Sequence, residues 1–152
     1  MLVGVISDTH GLLRPEALHA LRGVDHILHA GDVGDPAILD ELRRIAPVTA
    51  IRGNIDVHGP CAHLPATDTF ELNGHFLHML HSIDDLDLKP EAAGIGVMLY
   101  GHSHKPSVTT RNGVLYLNPG SAGPRRFSLP VSVAHLHLED GAPRAEIVTL
   151  DV

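Results

Sequence analysis

The sequence predicts an α/β domain whose strands form one mixed sheet, or two sheets stacked between helices. Three observations predict it. The first third alternates short apolar runs with amphipathic stretches, as parallel strands joined by helical crossovers do. The rest carries three tight-turn signals between strand-like segments, the mark of antiparallel hairpins. The chain has 152 residues, which suits one domain spanning 1–152 with a core that needs no disulfide staples.

Leu2–Ile6 is a continuous apolar run, suited to a strand covered on both faces. Pro15–Arg22 opens with proline at an early helical position and places Leu18 and Leu21 on one face. His26–Ala30 reads as a second strand ending in Gly31-Asp32. Pro36–Ile45 reads as a second helix, with Ile38, Leu42 and Ile45 inward and Asp35 as its N-cap. Val48–Arg52 is a third strand ending in Gly53-Asn54, and Asp56–Thr67, with Gly59, Pro60 and Pro65, is a loop. Asn73-Gly74 joins Thr67–Leu72 to His75–Leu80 as a hairpin. Asp84–Ala93 is read as a short helix, and Val97–Tyr100 as a buried strand ending in Gly101-His102. Asn112-Gly113 joins Ser107–Arg111 to Val114–Asn118, and Glu139-Asp140-Gly141 joins Val131–Leu138 to Arg144–Val152.

Acidic residues outnumber basic ones 18 to 11, a net charge of −7 with histidine neutral. That balance opposes broad binding to nucleic acid or anionic membranes, whose phosphates need a basic surface. No apolar stretch is long enough to span a bilayer. The N-terminus has no basic region before its short apolar run, and Cys61 is the lone cysteine, which fits a reducing, cytoplasmic setting. Histidine is the anomaly: thirteen residues, more than the 11 lysines and arginines together. That excess points to metal.

The metal-binding side chains fall where strands end. Asp8 and His10 follow the first strand, Asp32 the second, Asn54 the third, His81 the second strand of the first hairpin, and His102 and His104 the strand at Val97. Ligands of open α/β sheets bind beyond the carboxyl ends of strands, so these seven converge if the sheet forms as read. Two cations fit seven donors better than one, with Asp32 the natural bridging carboxylate. Imidazole and carboxylate without thiolate suit Mn²⁺, Fe, Zn²⁺ or Ni²⁺ over Mg²⁺ or Ca²⁺, and of these Mn²⁺ is the expected ion. Two such ions about 3.5–4 Å apart clamp attacking and leaving oxygens in phosphoryl transfer.

In order, Asp8-Thr9-His10-Gly11, Gly31-Asp32, Gly53-Asn54, His81 and Gly101-His102-Ser103-His104 resemble the motif set of the calcineurin-like metallophosphoesterases, most closely their small bacterial and archaeal phosphodiesterases. The resemblance implies a four-layer αββα sandwich of two mixed β-sheets flanked by helices. It implies two divalent metal ions: Asp8, His10 and His104 on the first, Asn54, His81 and His102 on the second, and Asp32 between them. The implied activity is phosphodiester rather than monoester hydrolysis, a metal-bridging hydroxide attacking phosphorus in line. The implied substrate is a small phosphodiester or nucleotide-like molecule, and relatives of this size form dimers or tetramers. The loop Asn118-Pro119-Gly120-Ser121 also resembles this subfamily, and Arg125 or Arg126 after it is a candidate for gripping phosphate. Many larger relatives carry a histidine that protonates the leaving oxygen where Ile55 stands here, so no general acid is assigned. A competing reading is a protein-interaction scaffold on the same fold, of the Vps29 type, with a vestigial metal site. All seven donors being present favours the enzyme.

His29 precedes the Gly31-Asp32 turn and reads either as a hydrogen-bond partner of a metal ligand or as a packed strand histidine. His135 and His137 alternate on one strand and are read as facing solvent or a partner subunit.

Overall fold

Two of the continuous apolar runs, Leu2–Ile6 and Val97–Leu99, become the centres of two sheets. In the computed structural model, which describes Met1–Val152, the elements are β1 (Leu2–Ile6), α1 (Pro15–Ala20), β2 (His26–His29), α2 (Pro36–Arg43), β3 (Val48–Ala50), β4 (Thr67–Leu72), β5 (His75–Leu80), β6 (Val97–Leu99), β7 (Ser107–Arg111), β8 (Val114–Asn118), β9 (Ser132–His137) and β10 (Arg144–Thr149). One sheet has the order β10-β9-β1-β2-β3, the other β4-β5-β6-β8-β7. β1 is central in the first and β6 in the second. β1 runs parallel to β2 and antiparallel to β9, and β6 runs parallel to both β5 and β8. Both sheets are therefore mixed.

Side-chain alternation along β1 sorts the core into layers. Val3 and Val5 join Leu28, Leu77, Met79, Val97, Leu99, Leu117 and Leu136 in a cluster drawn from both sheets, the filling between them. Ile6 points the other way, into a cluster with Ala17 and Leu21 of the first helical segment and Ile38, Leu39 and Leu42 of α2. Period-2 strands force this split, since successive side chains leave opposite faces. Asp35 caps α2 as its sequence position implies, its Oδ1 accepting the Ala37 N–H at 2.9 Å, with Pro36 at the first helical position. Both Asn-Gly turns have positive φ at both residues, 50° and 82° at Asn73-Gly74 and 51° and 77° at Asn112-Gly113, as a type I′ hairpin turn requires.

The two mixed sheets stack as the expected αββα sandwich, with one difference in the fourth layer. No helix forms over Asp84–Ala93; a 3₁₀ turn at Ile83–Asp85 is followed by irregular chain. Pro90 has no N–H to give and its ring disfavours helix in the residue before it. Leu86 and Leu88, two apart rather than three or four, pack on a cluster of Leu80, Ile95, Met98, Val114 and Tyr116 from the outer face of the second sheet. The sandwich thus carries α1 and α2 on one outer face and a segment of short turns, Ile83–Asp85 and the hydrogen-bonded turn after Lys89, on the other. Strands β2, β3, β6, β9 and β10 and both helices are each a residue or more shorter than the hydrophobic pattern suggests, as fraying of terminal turns and strand ends makes common.

Candidate metal centre

Five of the seven candidate ligands sit on left-handed backbone. Asp8 (φ 56°), His10 (46°), Asp32 (55°), His102 (71°) and His104 (64°) account for most of the non-glycine residues with positive φ; two others are the hairpin asparagines. Such conformations cost energy and persist only where the surroundings impose them. Here the chain turns sharply as it leaves β1, β2 and β6, and each turn aims a donor side chain across the sheet ends.

The two carboxylates are held alike. Asp8 is fully buried; its Oδ2 accepts the Ser7 hydroxyl at 2.8 Å and the His102 N–H at 3.2 Å. That leaves Oδ1 facing three imidazole nitrogens, His104 Nε2 at 3.5 Å, His81 Nε2 at 3.6 Å and His10 Nε2 at 3.7 Å. Asp32 Oδ1 accepts the Ile55 N–H at 3.1 Å, while Oδ2 lies 3.1 Å from His81 Nε2 and 3.3 Å from His10 Nε2. Each carboxylate therefore has one oxygen tied to the fold and one aimed at the cluster. His81 donates Nδ1–H to the Ala30 carbonyl at 2.7 Å, which turns Nε2 toward both carboxylates.

Five buried side-chain polar atoms in the chain have no hydrogen-bond partner, and four lie here: Asp8 Oδ1, His10 Nε2, His81 Nε2 and His104 Nδ1. Burying such atoms unpaired is costly. Two overlapping triads, Asp8–His10–His104 and Asp8–Asp32–His81, have donor atoms mutually close enough for one cation each. The residues fit divalent metal: imidazole and carboxylate donors with bare lone pairs converging on shared space. Without a cation, protons partly fill that role. Burial raises the Asp32 carboxyl, but His81, the Ile55 N–H and His10 outweigh it and hold the group at about 2. Burial lowers His81, yet the Asp32 and Asp8 carboxylates with the Ala30 carbonyl leave it raised.

The remaining two candidates lie at the edge. The His102 ring meets His81 edge-on at 5.3 Å between centroids, and its side chain is exposed. Asn54 is exposed beside His81, on the wall of a shared cavity. Of the two arginines, Arg125 is turned away, its Nη2 donating to the Val152 carbonyl at 3.0 Å. Arg126 is near enough that its charge adds to burial in lowering the His104 imidazole.

Sequence reasoning missed Asp56, placed in a featureless loop. It is buried and accepts three backbone N–H groups: Gly53 at 2.8 Å, Gly34 at 3.0 Å and Val33 at 3.1 Å. It thereby ties the Asp32 turn to the Asn54 turn. Its one signal was an acidic residue three positions after a strand-ending glycine, close enough to accept that glycine's N–H. The loop at Asn118 acts similarly, its amide donating to the Gly101 carbonyl and to Ser103 Oγ, both at 3.1 Å. The histidine excess is only partly about metal. His26 bonds Thr49 at 2.8 Å, His78 bonds Thr69 at 2.6 Å, His75 donates to the Glu139 carbonyl, and His135 donates to the Ala20 carbonyl at 2.8 Å. His137 lies 3.1 Å from Glu146. His135 and His137 thus bind helix and neighbouring strand rather than standing free.

Known proteins resemble this chain in both sequence and fold. The calcineurin-like phosphoesterase superfamily domain matches residues 1–141. A probable metallophosphoesterase of Methanothermobacter thermautotrophicus is 36% identical over 160 residues, covering 97% of this chain and 92% of that protein. One of Methanocaldococcus jannaschii is 37% identical over 153 residues, covering 92% and 77% respectively. Among solved structures, an archaeal phosphodiesterase superposes with TM-score 0.80 at 21% identity, covering 97% of this chain and all of that one. Vps29 of Entamoeba histolytica in complex with Zn²⁺ superposes with TM-score 0.77 at 22% identity, covering 98% and 99%. The chain, with its two candidate metal-binding triads, belongs to the calcineurin-like phosphoesterase superfamily.

Proposed function

We propose that the protein is a phosphodiesterase that works with two divalent cations, Mn²⁺ foremost. Asp8, His10 and His104 hold one, Asn54, His81 and His102 the other, and Asp32 is shared. The observation that supports this is the matched posture of the two carboxylates, each with one oxygen fixed by the fold and the other aimed at the His10 and His81 Nε2 atoms, which have no hydrogen-bond partner. When bound, such cations supply Lewis-acid charge for a phosphate and a hydroxide nucleophile at neutral pH.

The chain's own residues orient the rest. Ser7 and the His102 N–H lock Asp8, the Ile55 N–H locks Asp32, and the Ala30 carbonyl fixes the His81 tautomer. Arg126 adds positive charge on the His104 side, where a non-bridging phosphate oxygen is stabilised by a guanidinium. Ile55, exposed on the Asn54 turn, offers no proton. Leaving groups of low pKa therefore suit this site, since they depart without one.

The test is hydrolysis of bis-p-nitrophenyl phosphate by metal-stripped protein, with and without Mn²⁺, beside Asp32→Asn. Turnover that requires Mn²⁺ and is lost in the variant supports the reading. Tight Mn²⁺ binding with no turnover of any diester refutes it and favours the second reading, a Vps29-like interaction scaffold, which rests on the shared fold with the Entamoeba Vps29 structures.

A further inference from the structure

A cavity of about 260 Å³ opens directly beside the donor cluster, and Asn54 and His81 form part of its wall. The rest comes from the end of β3 (Arg52), the start of β4 (Thr67) and the 3₁₀ turn after β5 (Ser82, Asp85). A phosphate held at the cluster would place one of its ester substituents at this opening.

The wall chemistry is specific. Only two of the nine lining residues are hydrophobic, and none is Phe or Tyr, so the one ring in the wall is the His81 imidazole, which is turned to the donor cluster, and a nucleobase finds no broad stacking platform. Arg52 spends one guanidinium N–H on the Leu64 carbonyl at 2.7 Å, which anchors it and leaves other donors free. Asp85 is engaged through its backbone N–H, to the Ser82 carbonyl at 3.1 Å, while its carboxylate is exposed. Thr67 and Ser82 add hydroxyls. Opposite charges and two hydroxyls share one small space, and Arg52 and Asp85 do not pair. The ligand that satisfies such a wall has both donors and acceptors on a short skeleton. The volume also lies below the roughly 300–1,000 Å³ of sites that take drug-sized ligands.

We infer that this cavity is the subsite for a polyhydroxylated ester substituent, a pentose or glyceryl group, of the diester cleaved at the adjacent cluster. The inference rests on the phosphodiesterase reading and narrows its substrate class. Asp85 accepts hydroxyl hydrogens from the substituent, Arg52 donates to its oxygens, and a sugar's base extends outside.

The experiment compares three p-nitrophenyl diesters on Mn²⁺-loaded protein: methyl, glyceryl and uridine 5′-. Wild type is expected to show higher kcat/KM for the glyceryl and uridine esters than for the methyl ester. In Asp85→Ala that preference falls roughly tenfold, as loss of a charge-assisted hydrogen bond predicts, and independently in Thr67→Leu it falls roughly fivefold, as loss of a neutral one predicts. Uridine exceeding glyceryl identifies a nucleotide substrate, and the reverse identifies a glyceryl diester; both support the subsite. Equal kcat/KM on all three esters, or a preference untouched in both variants, overturns the subsite and leaves the phosphodiesterase standing. No turnover of any of the three overturns both.

Discussion

The Thr9 hydroxyl lies 3.1 Å from His29 Nε2 and 2.8 Å from the Val33 carbonyl. A carbonyl only accepts, so Thr9 donates to Val33 and receives the His29 Nε2–H. The other ring nitrogen, Nδ1, accepts the Gly31 N–H at 3.1 Å. The directions close into one chain, Gly31 to His29 to Thr9 to Val33, and it is satisfied only by neutral imidazole. This chain joins the turn carrying Asp8 and His10 to the turn carrying Asp32. His29 is thus a partner of the ligand turns, and a protonated ring would have to break the bond from Gly31.

That geometry gives a pH dependence. Burial holds the His29 imidazole down to about 4, against 6.5 for a free one, despite the neighbouring Asp8 and Asp56 charges. The unfolded chain therefore binds the proton first, so stability is complete above about 6.5 and declines as pH falls toward 4. The gap corresponds to about 3 kcal/mol. Urea unfolding of metal-free protein from pH 7.5 to 4 should show this slope, and His29→Gln should flatten it. An unchanged slope in the variant would assign the loss to other groups.

Asp56→Asn tests the tie between the two ligand turns. Oδ2 serves both Val33 and Gly53 while Oδ1 serves Gly34, so either orientation of the amide leaves at least one buried N–H facing an NH₂. Each such loss costs about 1–3 kcal/mol. The variant should fall in stability by at least that much and bind Mn²⁺ more weakly, although Asp56 touches no proposed cation. Wild-type Mn²⁺ affinity in a folded Asp56→Asn protein would show that the tie is structural only.

Gly53 has no room for a side chain. A methyl there would run into the Asp32 carboxylate and backbone. Gly53→Ala should therefore displace Asp32 and cut Mn²⁺-dependent turnover by far more than its effect on folding. Circular dichroism that stays native while activity drops is the expected pair of results; retained activity would mean that Asp32 is free to shift.

Cation binding should stabilise the fold, because the unpaired donors are assembled only in the native state. At a concentration a hundred times the dissociation constant the gain is about 2.7 kcal/mol, roughly 5–10 °C in Tm for a domain of this size. Scanning calorimetry with and without Mn²⁺ measures it, and an Asp8→Asn, Asp32→Asn double variant should abolish the shift. An equal shift in the variant would place the cation elsewhere.

Much of this protein is local in origin. Asn-Gly at two hairpins demands positive φ, Asp35-Pro36 starts a helix, unbroken apolar runs make strands that must be buried, and donors placed just past strand ends must meet when the strands align. Those features depend on neighbours a few residues apart, so periodicity and turn chemistry read them directly. The expected helix at Asp84–Ala93 failed for an equally local reason, Pro90 and the two-residue spacing of Leu86 and Leu88. Only the tertiary structure decided how the donors are used. Which oxygen of Asp8 is tied to Ser7 and which faces His104, that Asp56 gathers N–H groups from Val33, Gly34 and Gly53, that His29 is neutral, and that Arg125 is held by the Val152 carbonyl all arise between segments distant in the chain. Such contacts carry no period along the sequence. They exist only once two sheets, packed over a shared apolar layer, bring the strand ends to one edge.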